Sequence, residues 1–179
     1  MNKKTIKIEL SEKGIERAIK ELEQYEKDLK KKINLLKEKV AEFIASKAGA
    51  GFLGAISDDL LPGSGGPRYA NVDVTIKQDG DIFIVIANGS DAVWVEFGAG
   101  VYHNGPVGSS PNPLGAKLGF SIGGYGKNKG KRDTWGFKDD SGERFLTHGT
   151  PASMPMYKAL ESATEDLRSI VREVFDGND

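Results

Sequence analysis

The chain has 179 residues, which suits one domain or one domain with an extended arm. Its 25 basic and 26 acidic residues leave a net charge of −1, so no overall basic or acidic field points to nucleic acid. The lack of cysteine excludes disulfides and thiolate sites, and no apolar run approaches the ~20 residues of a membrane span, so no membrane partner is expected. Glycine is frequent, with 23 residues, and the glycine-rich segments separate the predicted helices and strands from one another.

The chain opens with a predicted strand and a long helix. Residues Thr5 to Leu10 alternate in polarity, as in a short strand, and Ser11 is a suitable N-cap for a helix over about 12–48. At ~1.5 Å per residue this helix is about 50 Å long, so it projects beyond a small domain or packs on a neighbouring subunit. A helix lying on its own sheet would account for about half of that length, and we expect another copy of the chain to cover part of the apolar stripe. The stripe consists of Ile15, Ile19, Leu22, Leu29, Ile33, Leu36, Val40 and Phe43.

Turn residues separate the elements that follow. Glycines within 48–54 predict the end of the helix, and Leu53 and Ile56 predict one last apolar turn. Alternating residues predict a hairpin of strands 72–76 and 82–87. The second of these strands is almost wholly apolar, which is typical of a central strand buried on both faces.

The rest of the chain is predicted to contain little regular structure until its last helix. Segment 91–98 fits either a short helix or a strand, because periodicity cannot decide over so few residues. A glycine-rich excursion follows over about 101–150, with a small hairpin of 134–138 and 143–147, and we expect most of it to be flexible in a lone subunit. Pro155 suits the first turn of a helix over about 155–176, whose predicted apolar face consists of Met156, Leu160, Ala163, Leu167, Ile170 and Val174. The order of elements indicates a single α+β domain spanning all 179 residues, with a small antiparallel sheet.

No motif for catalysis or cofactor binding is found. The Gly-Lys pair at 130–131 precedes Arg132 rather than Ser or Thr, and Tyr125 stands where a P-loop has its first glycine. His103 and His148 flank the glycine-rich excursion and could bind a metal together with nearby carboxylates, although two loop histidines in water or at an interface are the plainer interpretation. We therefore expect neither an enzyme nor a cofactor or metal site.

Two charged features invite a binding interpretation. Glu96 stands between Val95 and Phe97, and it either pairs with a Lys or Arg across a subunit boundary or lies half-exposed on an amphipathic turn. The only concentrated basic run lies close to Tyr125 and Trp135, so it either contacts DNA or forms a solvated loop. Four residues form this run: Lys127, Lys129, Lys131 and Arg132.

Several short segments resemble one family of tailed-phage proteins. The run Ala92-Val93-Trp94-Val95-Glu96-Phe97-Gly98-Ala99-Gly100 is similar to the aromatic-Val-Glu-aromatic-Gly-Thr-Gly motif of siphophage neck, head–tail joining and tail-completion proteins, with alanine in place of the threonine. These proteins are often labelled minor capsid or tail-component proteins. Residues 51–56 resemble the family's Gly-x-Leu-x-x-Ile segment, and 135–137 with 147–152 resemble the run before its last helix. Residues 154–159 match its Pro-Phe-Met-x-Pro-Ala segment more loosely.

The resemblance implies a structural virion protein of a tailed bacteriophage, with an α+β fold like that of tail-terminator proteins. Such a protein would form a ring, by expectation a hexamer, in the role of a neck, tail-terminator or head-closure protein. Its partners would be further copies of itself, head-closure or connector proteins, tail-terminator or tail-tube proteins, and packaged DNA. It would reside in the virion neck or tail after assembly in the host cytoplasm. The alternative is a phage-encoded DNA-binding or nucleic-acid-processing accessory protein that uses loop 127–132.

Five residues of the resembling segment are predicted to lie at or beside a subunit interface: Trp94, Glu96, Phe97, Gly98 and Gly100. Aromatic residues beside a short turn often anchor interfaces, and the glycines allow positive φ or close backbone approach. In that case Glu96→Ala leaves the monomer folded, at a cost of ~1 kcal/mol or less if the carboxylate is solvated there, but sharply weakens assembly. The alternative is that Trp94 and Phe97 fill the core of their own subunit.

Overall fold

The computed structural model describes residues 9–100, 110–120, 134–139 and 141–177. The fold is α+β, as predicted, but the described strands form four separate antiparallel pairs rather than one small sheet. The elements in chain order are α1 (Glu12–Phe52), β1 (Ile56–Asp58), a 3-10 turn (Pro62–Ser64), β2 (Arg68–Tyr69), β3 (Asp73–Asp79), β4 (Ile82–Asn88), α2 (Ala92–Phe97), β5 (Ala99–Gly100), α3 (Gly115–Leu118), β6 (Trp135–Lys138), β7 (Arg144–Thr147), β8 (Gly149–Thr150) and α4 (Pro155–Asp176).

Helix α1 begins where the sequence predicts and ends four residues later than predicted. The Ser11 hydroxyl accepts the backbone N–H of Gly14 at 3.1 Å, which confirms Ser11 as the N-cap. Residues 5–8 of the predicted first strand lie outside the described residues, and Leu10 is in a bend, not a strand. The helix continues through Gly49 and Gly51 because tertiary packing holds this end in place.

Helices α1 and α4 pack antiparallel and are the two longest elements of the structure. Lys39 of α1 contacts Glu173 near the end of α4, with Nζ to Oε1 at 2.6 Å. At the other end, Pro155 lies so close to Gly51 that a Cβ on the glycine would be 2.8 Å from the proline Cβ. The absence of a side chain at Gly51 therefore lets the two helices approach. Small and apolar side chains are buried along the two helices: Ala41, Ala48, Phe52, Ala159, Ala163, Ile170 and Val174.

Helix α4 covers only the C-terminal half of α1. The end of α4 reaches Lys32, whose Nζ donates to the Phe175 carbonyl at 3.2 Å. Residues 12–31 continue for roughly 30 Å past this point, at about 1.5 Å per residue. The projection carries four side chains that are 48–52% exposed: Ile15, Ile19, Leu22 and Tyr25. That another copy covers this stripe stays a prediction.

The bounds of α4 match the prediction, but its buried face differs. Leu160 and Leu167 were expected on the apolar face and are both exposed, whereas Ala159 is buried. The apolar face of α4 is wider than its contact with α1, so residues at its margin remain in solvent.

Strands β3 and β4 form the predicted hairpin, with pairs from Asp73–Asn88 to Asp79–Ile82 and a tight turn at Gly80. The prediction that the second strand is central and buried on both faces is wrong. The hairpin is two-stranded, one face lies against α1, and Ile82 and Ile84 are exposed. A run of apolar residues therefore does not by itself place a strand inside a sheet.

A small core joins the end of α1 to the hairpin and to α2. Segment 91–98 was predicted as either a short helix or a strand, and the structure shows that it is a helix. The predicted apolar turn at Leu53 and Ile56 is wrong, since Leu53 is 85% exposed and Ile56 begins β1 opposite Tyr69. Four buried residues form the core, with Ala70, Val72, Val74, Ala87 and Met156 packed around them: Phe52, Ala55, Ala92 and Val95.

The glycine-rich excursion contains the predicted small hairpin and two unpredicted elements. Strands β6 and β7 pair from Trp135–Thr147 to Lys138–Arg144, while β5 pairs with β8 and α3 forms one short helix. The parts 101–109 and 121–133 lie outside the described residues, so their expected flexibility stays a prediction.

The glycines at the end of α1 provide a matched pair of substitutions. Gly49→Ala should raise the free energy of unfolding by ~0.5–1 kcal/mol, because nothing lies within 4 Å of the added Cβ and alanine favours helix. Gly51→Ala should lower it by ~1–3 kcal/mol through the clash with Pro155. Urea denaturation of both variants measures this. Equal effects of the two substitutions would contradict the close approach of α1 and α4.

Candidate assembly site around Glu96

The segment that resembles the phage family forms α2 and its exit. Val95 is fully buried in the core, and this orientation carries the neighbouring Glu96 into the protein, where it is 7% exposed. The helix stops at Gly98, which has φ +81 and whose N–H donates to the Trp94 carbonyl at 2.7 Å. A Cβ at Gly98 would be 3.1 Å from that of Ala152. The expectation of positive φ and close backbone approach at Gly98 is therefore confirmed.

The carboxylate of Glu96 caps the N-terminus of α4. Its Oε2 accepts the N–H of Met156 at 2.8 Å, and its Oε1 accepts the N–H of Tyr157 at 3.0 Å. These are first-turn donors that no residue of the helix itself can satisfy, and the local cap residue, Met154, supplies no side-chain hydrogen bond. The partial positive charge of the helix N-terminus adds a favourable interaction with the carboxylate.

A third donor completes the site from the glycine-rich excursion. Asn112 is almost fully buried and donates from Nδ2 to Oε1 of Glu96 at 2.8 Å. Its own Oδ1 accepts the N–H of Leu114 at 2.9 Å, so both ends of the amide are used. Glu96 thus joins three parts of the chain: α2, the loop before α3, and α4.

The interpretation of Glu96 as half-exposed is wrong, because the residue is buried. Its described partners are donors of its own chain, and a pairing with a Lys or Arg across a subunit boundary stays a prediction. Backbone N–H groups at a helix N-terminus offset the desolvation of a carboxylate without a full positive charge. The sequence analysis did not identify Asn112 as a site residue. The signal that could have indicated it is a polar residue between Pro111 and Pro113, where a side-chain amide can form hydrogen bonds with the nearby backbone.

The two aromatic residues of the segment have different environments. Phe97 stacks on Phe120 with ring centroids 4.2 Å apart, so it packs within its own subunit. The Ser110 hydroxyl donates to the Phe97 carbonyl at 2.5 Å and holds the same loop to α2. Trp94 is 37% exposed in the wall of a cleft. Gly100 pairs with Gly149 in the β5–β8 pair. That these residues lie at a subunit interface stays a prediction.

The cleft beside Trp94 has a volume of about 460 Å³ and combines aromatic and acidic side chains. Asp58 lies in it and accepts a hydrogen bond from the buried Thr147 hydroxyl. Burial raises the pKa of the Asp58 carboxyl above its ordinary value, and the Thr147 hydrogen bond and the Arg68 guanidinium offset this only in part. We call this the Asp58 cleft; its lining is Ser57, Asp58, Arg68, Tyr69, Asp91, Trp94, Ala99, Phe137, Gly149 and Thr150.

Of the remaining candidates from the sequence, only His148 lies among the described residues. Lys127, Lys129, Lys131 and Arg132 lie outside the described residues, so DNA contact by this run stays a prediction. His103 lies outside them as well, whereas the backbone N–H of His148 donates to the Asp59 carbonyl at 3.0 Å. In the part of the chain that the structure describes, no group of three or more His, Cys, Asp or Glu is placed to hold a metal ion.

Comparison with models of protein families, with curated proteins and with solved structures found no match to this chain. None of the helices in the described ranges has the length and apolar character needed to cross a membrane.

Removal of the Glu96 carboxylate should destabilise the subunit. Glu96→Ala leaves two first-turn N–H groups and the Asn112 Nδ2 group without their acceptor in a buried site. We therefore expect a loss of about 2–3 kcal/mol in the free energy of unfolding, rather than the ~1 kcal/mol or less expected for a solvated carboxylate. Glu173→Ala, which removes an exposed ion pair with Lys39, should have a much smaller effect on stability. Chemical denaturation of both variants gives the comparison. Equal stability of the Glu96 variant and the parent would exclude the capping role.

Asp58 should make stability depend on pH. At low pH Asp58 is neutral in both the folded and the unfolded state. Because its folded-state pKa is raised, the fold loses stability as the pH rises through that pKa and the charge must be buried. Asp58→Asn should therefore match the parent at low pH and exceed it at neutral pH. Urea midpoints at both pH values measure this, with exposed Asp73→Asn as the control. A difference that is independent of pH would refute the assignment.

Proposed function

We propose that this chain is a structural virion protein of a tailed bacteriophage, which assembles as a ring at the neck and joins or completes head and tail. The observation that carries the proposal is the projecting half of α1. It presents Ile15, Ile19, Leu22 and Tyr25 half-exposed along roughly 30 Å of helix. An apolar stripe of this extent on a soluble subunit is typical of a protein–protein interface.

The positions that resemble the phage motif also have defined structural roles in this chain. Val95 fills the core, Glu96 caps α4, and Gly98 makes the close turn against Ala152. In this chain the residues that resemble the motif fix the junction of α2 with α4, which is a role that a fold-determining motif would have. This supports the assignment to neck and tail-completion proteins.

The aromatic wall of the Asp58 cleft supports an assembly role for the same region. Trp94 is partly exposed there beside Tyr69, and the carboxylates of Asp58 and Asp91 line the same cleft. Aromatic side chains that are partly exposed at a cleft are common anchors of protein interfaces. The predicted interface therefore includes the exposed side of Trp94, while Phe97 and Glu96 support it from within.

Deletion of the gene from the phage that encodes it tests the proposal. We expect filled heads and complete tails that fail to join, or tails with defective upper ends, in electron micrographs of the lysate, and joined particles after complementation in trans. Joined, infectious particles from the deletion phage would show the proposal to be wrong. A block in DNA packaging, together with salt-dependent DNA binding by the purified protein, would instead favour the nucleic-acid accessory role.

A further inference from the structure

An apolar groove lies open between helix and hairpin in the part of the chain that the structure describes. Helix α1 forms the floor, β4 forms one wall and α4 the other, and the space between them is about 460 Å³. Leu167 of α4 lines the groove and is 42% exposed, and the lining also includes the ion pair between Lys37 and Asp81 at 2.9 Å. We call this the α1 groove; its apolar lining includes Leu36, Val40, Ile44, Phe83, Val85 and Leu167.

The same chain contains a helix with the spacing that fits such a groove. Ile15, Ile19 and Leu22 follow one another at i, i+4 and i+7 on the projecting half of α1, and each is about half exposed. This spacing is the anchor pattern by which amphipathic helices bind hydrophobic grooves. The other side of the projection is rich in Lys and Glu, so only one face can enter an apolar site.

The projection cannot occupy the groove of its own subunit. Both belong to one uninterrupted helix, and Leu22 lies about 27 Å before Val40 along the axis, at ~1.5 Å per residue. No turn exists between them that would let the stripe fold back. A second copy of this chain carries the same stripe on a projecting helix, and in that copy the stripe is free to reach the groove.

We propose that the Ile15–Leu22 stripe of one copy docks in the α1 groove of a second copy. The inference rests on the proposed ring function and names the contact that would build the ring. Donor and acceptor are different surfaces, so an open chain of copies keeps one unused stripe and one unused groove at its ends until it closes as a ring or as a reciprocal dimer. Each subunit in the closed ring buries both its stripe and its groove.

Two substitutions separate the donor from the acceptor. Ile19→Glu places a charge on the stripe, and Leu167→Glu places one in the groove lining; both positions are partly exposed, so the subunit should remain folded. Each should raise the concentration needed for assembly at least tenfold, about the effect of one charge brought into an apolar contact. The matched controls are Lys20→Gln on α1 and Leu160→Glu on α4, which lie outside the groove and should leave assembly unchanged.

A mixture of the two variants gives the decisive measurement. The Ile19→Glu protein retains an intact groove and the Leu167→Glu protein retains an intact stripe, so together they should form a one-to-one heterodimer in mass photometry although neither associates alone. Because the chain has no cysteine, Leu22→Cys and Leu167→Cys should also give a disulfide between copies when the two proteins are mixed.

The outcomes distinguish the contact from the proposed function. Wild-type rings that both variants still form would overturn the docking contact while the ring function stands. A wild-type dimer that both variants abolish would support the docking contact and count against a ring. No heterodimer and no mixed disulfide would overturn the docking contact, and circular dichroism of each variant excludes unfolding as the cause.

Discussion

One buried carboxylate connects the parts of this molecule. Glu96 lies on a helix of six residues, yet it accepts hydrogen bonds from Asn112 in the glycine-rich excursion and from Met156 and Tyr157 at the start of α4. A charge in such a place is stable only while all of its donors are present, since any missing donor leaves an uncompensated charge away from water. The positions of α2, of the loop before α3 and of α4 therefore depend on one another.

The capping carboxylate also fixes the position of α4 relative to the small core. Pro155 opens α4 and has no N–H to donate, and its ring lies against Gly51, so the start of α4 is fixed by packing on one side and by Glu96 on the other. From this point α4 runs back along α1 to Lys32. The length of α1 that α4 leaves uncovered is thus set by the length of α4, and the half-exposed side chains from Ile15 to Tyr25 lie in that part.

Local signals in the sequence predict the features that local chemistry decides. The Ser11 cap, the hairpin around Gly80 and the proline at the start of α4 depend on neighbours within a few residues, and each is confirmed. The partners of Glu96 are distant in sequence, so no periodicity or spacing indicates them. The sequence also does not predict that residues of β4 and Leu160 are exposed. An apolar pattern shows which face of an element is hydrophobic, but not how much of that face a neighbouring element covers.

The separation of Glu96 from α4 matters while the chain is being made. On the ribosome, α1, the hairpin and α2 are complete before the residues that cap and cover them exist. Until α4 emerges, the Glu96 carboxylate has no helix N-terminus to bind, and Phe52 and Val95 lack the Met156 side chain that packs over their cluster. Contacts so distant along the chain form late and slow folding. A nascent subunit thus exposes its apolar surfaces during synthesis, a period in which a chaperone can bind them and premature association between copies is a hazard.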